Sequence, residues 1–248
     1  IEPYLGADGR PTTSAGLSFV DPVALRGYVA RLDADGFQVH FHALGDRAVR
    51  EALDAIEEAR RANGMTDGRH HLAHIQVVHP DDIQRFRALR AIANAQPLWA
   101  CHEPQMDVLT IPFLGPERSA RQYPFASLLR AGVMLAMGSD WTVSTPNVLE
   151  EVEVAVTRVR PGRRGEAEPF LPDERLDLPD ALQAFTMGTA YVNHLEDEVG
   201  SIEAGKAADI VVIDRGVFDP GAGPIGDARV IATFVDGRPV YEDPALDG

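Results

Sequence analysis

The stretch FQVHFHALGDRAVREAL, residues 37–53, sets two histidines two positions apart and follows them at once with Gly-Asp and an amphipathic run. Residues i and i+2 of a strand share a face, so His40 and His42 point the same way if this segment is extended. The run DRAVREALDAIEEARRANG that follows is helical in pattern, with Asp46 read as its cap and Gly64 as its stop. A strand that hands over to a helix in this way is half of a βαβ unit. Whether the histidines hold a metal at a barrel mouth or merely close a strand depends on the rest of the chain.

Working outward, VDPVALRGYVARLDADG (20–36) is a second amphipathic segment, with Asp21 as N-cap, Pro22 at the first helical position and Gly36 past the end. Downstream, RHHLAHIQV (69–77) reads as a strand, HPDDIQRFRAL (79–89) as a helix with Pro80 early, and AIANAQPLWA (91–100) as another strand. SARQYPFASLLRAG (119–132) becomes helical beyond Pro124. VMLAMGSDWTV (133–143) is an apolar strand ending in Gly-Ser-Asp, after which Thr145 and Pro146 open a further helix. Four strand-helix alternations in roughly 130 residues call for a parallel sheet with crossover helices, open or closed into a barrel. Beyond residue 160 the Pro, Gly and charge density is that of an exposed loop. A helical pair over 180–195 and two strand pairs in the last fifty residues complete the reading, the latter placed outside the barrel.

Composition narrows the function classes. With 248 residues and 45% apolar content the chain can bury a sizeable core. Acidic residues outnumber basic ones 38 to 23, a formal charge of -15, which opposes phosphate backbones and anionic membranes. No nucleic-acid or membrane partner is expected. Cys101 is the single cysteine, so an internal disulfide and a Cys-based zinc site are excluded and a reducing, cytoplasmic setting fits. Residues 1–20 start without Met and read as a Gly/Pro-rich loop, so a preceding segment is expected.

The notable polar residues stand at the ends of successive strands: His42, His74, Gln96 and Asp140. In parallel α/β folds that is where active sites form. Two imidazoles and a carboxylate suit Zn²⁺, which lowers the pKa of bound water to about 7 and so supplies hydroxide at neutral pH. Each residue alone has a plainer reading: a strand histidine as a hydrogen-bonded core or surface residue, Asp46 as a cap, Asp140 as a turn residue. His70, His71, His79, His102 and His194 show no spacing that sets them apart from surface histidines. Both readings stand at this point.

The succession VHFHALGDRAV, RHHLAHIQ, ANAQP, LGPERSARQYPFASLLRAGV, MGSDWTV and GSIEAGKAADIVVID (200–214) resembles the YtcJ-like branch of the amidohydrolase superfamily, amidohydrolase family 3. The resemblance runs through nearly the whole chain. It implies an α/β fold: the C-terminal half of a (β/α)8 TIM-type barrel, strands five to eight, over residues 1–195, and the C-terminal part of a composite β-sandwich over 196–248. His42 corresponds to the fifth-strand metal ligand, His74 to the sixth-strand one, and Asp140 to the eighth-strand ligand and general base. His40 is not a ligand in this scheme, although HFH imitates the His-x-His pair of the family's first strand. That pair, and the fourth-strand bridging residue, commonly a carboxylated lysine, lie outside these residues; Lys206, the one lysine, sits in a sandwich turn and cannot replace the latter. Ala73 stands where the family often has Glu, and Thr142 where it has Pro. His102 and Arg118 are candidate substrate contacts, with surface roles as the alternative.

The activity so implied is hydrolysis of a C–N bond in an amide, formamide or cyclic amide, with one or two divalent ions, zinc first, and Asp140 shuttling the proton. The partner is a small-molecule substrate, and a homo-oligomer is compatible. Alone, the chain is expected to be inactive for want of upstream ligands, its half-barrel edges needing cover. The competing readings are a non-catalytic binding or regulatory relative and an ester or phosphoester hydrolase on the same fold.

Overall fold

The structure, a computed structural model, describes residues 1–219 and 221–247. Helix α1 (Pro22–Ala34) starts where expected: the Asp21 carboxylate accepts from the amides of Val23 and Ala24. Strand β1 (His40–Ala43) then leads into α2 (Asp46–Asn63). Here the reading needs correction, because Gly45 is the N-cap and Asp46 is the first helical residue. Its carboxylate is buried and lies against the first residue of the sequence, and no amide of its own helix donates to it. The stop is as read, with Gly64 in left-handed backbone and its amide bonded to the Arg60 carbonyl.

Strand β2 (His71–His74), helix α3 (Pro80–Leu89) and strand β3 (Ile92–Ala95) follow in the expected order. The segment after β3 folds into α4 (Pro104–Leu109), α5 (Ile111–Ser119) and α6 (Phe125–Arg130), then strand β4 (Leu135–Met137). Helix α7 (Val148–Thr157) is capped by Asn147, whose side chain accepts from the Leu149 amide, so Thr145 and Pro146 lie outside it. The expected helical pair is a nearly continuous run: α8 (Leu178–Gln183), a π-turn over Ala184–Gly188, and α9 (Thr189–Val192).

The four strands form one parallel sheet in the order β1-β2-β3-β4, each neighbour following the last in sequence. Its two faces differ as period-two alternation demands. Phe41, Ala43, Leu72, Ala93, Ala95, Leu135 and Met137 are buried in the main core with α2, α3, α6 and α7. The other face carries His40, His42, His71, Ala73, Ile92, Asn94 and Ala136; Ile92 and Ala136 are covered there by Val192 of α9.

The tail is a separate three-stranded antiparallel sheet, β5 (Ile210–Ile213), β6 (Val230–Val235) and β7 (Arg238–Glu242), in place of the two pairs expected. Asp236-Gly237 joins β6 to β7 with positive φ at both residues, the conformation a tight hairpin selects. Its loops are anchored on the larger unit. The Glu153 carboxylate of α7 accepts from the Gly226 amide and pairs with Arg164, and Arg69 forks onto Glu196 at 2.6 and 2.7 Å while lying over the Tyr191 ring. Among the described residues no helix is long and apolar enough to cross a membrane.

Candidate metal centre

Register explains how the two strand-end histidines meet. His40 pairs with His71 and His42 with Ala73, so these four residues share the face turned away from the helices. By the same alternation His74, paired with the buried Ala43, should point into the helix layer. It does not. His74 and Ile75 both adopt left-handed backbone, φ 72° and 42°, which turns the His74 imidazole back across the strand. Its Nε2 lies 3.2 Å from Nδ1 of His42.

The turn is held at each end. Ile75 donates its amide to the Ala43 and Ala73 carbonyls, and the His74 amide donates to Oε1 of Gln96 at 2.8 Å. Gln96 follows β3, is almost fully buried, and donates through Nε2 to Oδ1 of Asn94. Burial lowers the His74 pKa, opposed by the Asp140 charge, aided by the His42 ring and opposed by the Gln96 contact. A histidine so shifted is neutral at pH 7, the form that ligates a metal.

A second imidazole pair lies beside the first. His40 Nδ1 and His71 Nε2 are 2.6 Å apart, and the His40 and His42 rings stand edge-on at 5.6 Å. His40 is pushed down to about 4 by burial first and then by His71, His42 and His74. His71 is likewise lowered by burial. The reading of His70 and His71 as surface-like is therefore corrected. His71 faces the site, and His70 is fully buried between the Val39 amide and the Asp33 carboxylate.

Asp140 sits after β4 in left-handed backbone, within a turn whose Val143 and Ser144 amides return to its carbonyl. Its charge is felt at His74 and at Glu151. Among the described residues, however, no three His, Cys, Asp or Glu side chains group closely enough to hold a metal ion by themselves. Glu151, on the first turn of α7, was not singled out from the sequence: its side chain is fully buried, neither carboxylate oxygen has a partner, and burial raises its pKa to about 8. An acidic residue in a helical first turn is ordinary, so no sequence signal marked it.

Beside the histidines opens a cavity of about 1100 Å³, lined by His40 and His42, by Phe19 and Leu44, and by Phe113 and Arg118. Arg118 is not a surface residue. It is buried, and its guanidinium donates to the carbonyls of Glu2, Pro3 and Leu114, which fastens the first residues onto α5. His102 stands outside this lining, with Nδ1 2.6 Å from Asp107 and its ring edge-on to Phe170.

The fold is thus a parallel sheet whose strand ends gather imidazoles, with a separate small β unit, and sequence comparison gives its family. The model of the amidohydrolase family matches residues 2–241, and the chain belongs to that family, in its family 3 branch. It is 34% identical over 91% of its length to Protein LONG AFTER FAR-RED 3 of Arabidopsis thaliana, spanning 38% of that protein. It is 29% identical over 93% of its length to N-substituted formamide deformylase of Arthrobacter pascens, spanning 41% of it. A solved structure described as an uncharacterized metal-dependent hydrolase from Pyrococcus horikoshii OT3 superposes with a TM-score of 0.74 at 25% identity, covering 92% of this chain and 43% of that one. The chain thus spans about two fifths of the length of these relatives.

Proposed function

We propose that these residues supply strands five to eight of a (β/α)8 barrel in a metal-dependent amidohydrolase that cleaves the C–N bond of an amide, formamide or cyclic amide. One observation carries the reading. Left-handed backbone at His74 is strained for a non-glycine residue, and what it achieves is to bring a second imidazole to His42.

The donor set fits a borderline divalent ion. Two imidazoles on one tetrahedral zinc stand about 3.3 Å apart, given Zn–N near 2.05 Å, and the His42 and His74 nitrogens are 3.2 Å apart. His42, His74 and Asp140 would hold the ion, with the set completed from residues outside this chain. When bound, such an ion polarises the scissile carbonyl and makes water a nucleophile at neutral pH. The chain's own part is then clear: His42 and His74 present ring nitrogens to the ion, and Asp140 accepts a proton from the attacking water and returns it to the leaving nitrogen.

The absence of a three-donor group among the described residues favours one rival, a binding relative without catalysis. The test is metal analysis of the full-length gene product together with a panel of amides, formamides, cyclic amides and esters. Bound zinc with amide turnover supports the proposal. It is overturned by metal-free protein without turnover, and turnover of esters alone transfers the fold to another chemistry. Asp140→Asn should lower kcat by about 10²–10⁴-fold, the usual worth of a positioned proton carrier.

A further inference from the structure

We propose that Gln96 is the positioning residue of this centre: its side-chain oxygen holds the His74 amide in the left-handed turn that aims the imidazole at His42, and its NH₂ is braced on Asn94. The inference rests on the metal-centre reading above. Three observations carry it. His74 is at the end of its strand, and alternation alone would send its side chain to the helix layer. A strand-end amide that has left the ladder needs a new acceptor when buried, and Gln96 Oε1 provides one at 2.8 Å. The Gln96 amide is asymmetric in its surroundings, for Nε2 donates to Asn94 Oδ1 at 3.0 Å while the oxygen accepts from His74. Rotating the amide by half a turn would set its NH₂ against the His74 N–H, so that N–H selects the working orientation and Asn94 Oδ1 takes the remaining donor.

Neighbouring backbone does not duplicate this. The Ile75 amide is held by Ala43 and Ala73, so the residue after His74 is fixed by main chain, whereas the hydrogen bond of the His74 amide itself comes from a side chain. Gln96 is thus coupled to the aim of the imidazole without touching a reacting atom, as groups behind metal ligands commonly are.

The experiment uses the full-length gene product and zinc, with affinity read by competition against a chromogenic chelator and amide exchange at His74 read by mass spectrometry. Gln96→Met should weaken zinc binding about 10–100-fold and speed exchange at His74. Gln96→Glu, which keeps an acceptor there, should restore both. Gln122→Met removes a different buried amide, the partner of Gln76, and should lower Tm while leaving zinc affinity alone. If Gln96→Met does not fold, Asn94→Leu carries the test, with an intermediate loss expected. Wild-type affinity in every soluble variant at positions 94 and 96 overturns the inference. If His42→Ala and His74→Ala still abolish zinc binding in that case, the metal-centre reading survives; if the wild type itself holds no zinc, both fall.

Discussion

At the scale of single residues, the most informative side chain outside the imidazole group is Glu151. It is fully buried with both oxygens unpartnered, and its pKa is raised to about 8 by burial, then by Asp140 and Glu150. A raised acid is protonated in the folded chain while the unfolded chain has already lost the proton. The folded state therefore binds more protons between about 4.5 and 8, and stability falls as pH rises through that window. Glu151→Gln should remove the slope, raising stability at pH 8 relative to pH 5 by on the order of 2–4 kcal/mol against wild type. Parallel urea melts at the two pH values check this, and equal slopes in both proteins refute it. His40 has the opposite consequence: its pKa is depressed to about 4, so the unfolded state takes up the proton first and stability declines as pH drops from about 6.5 towards 4. His40→Gln should flatten that part of the curve, read as Tm against pH.

Elements are held in place by a buried polar hub. Asp33, at the end of α1, accepts from Asn63, the last residue of α2, and from Thr66 beyond it, pairs with Arg60 of α2 and takes Nε2 of His70 before β2. Both Asp33 and Arg60 are almost without exposure, so removing one leaves the other's charge buried. Asp33→Ala should cost about 3–5 kcal/mol, measured from the urea midpoint at unchanged m-value. Elements were also what the sequence showed best. Asp21, Pro22 and Gly36 bounded α1 because caps and stops act over a few residues and need no partner from elsewhere. The parallel sheet followed from alternation of strand and helix, and period two put His40 and His42 on one face. What escaped was set by long-range geometry. That His71 faces His40 depends on the β1–β2 register, and that Asp46 falls one residue inside α2, with Gly45 as the cap, depends on where β1 hands over to the helix. The turn at His74 violates the very alternation used to read the strand, so only coordinates could reveal it.

For the molecule as a whole, the parallel sheet ends in two free edges, β1 and β4, among the described residues. Leu17, Phe19 and Leu109 are largely exposed at the cavity, and Val211 and Val212 of the small sheet are exposed as well. Open edges with apolar surface invite pairing with further chain. Residues 1–248 expressed alone should show under a hundredth of the full-length product's turnover and bind zinc more weakly, compared side by side at equal concentration. Equal turnover would mean that these strands form the working site unaided. The strained turn at position 74 bears on how such a protein can be improved. Glycine or asparagine there would relax the chain and delete an imidazole in one step. Laboratory evolution for heat resistance alone should therefore drift towards His74→Gly or His74→Asn, yielding hardier but inert variants, and only a screen that also demands turnover will keep the histidine.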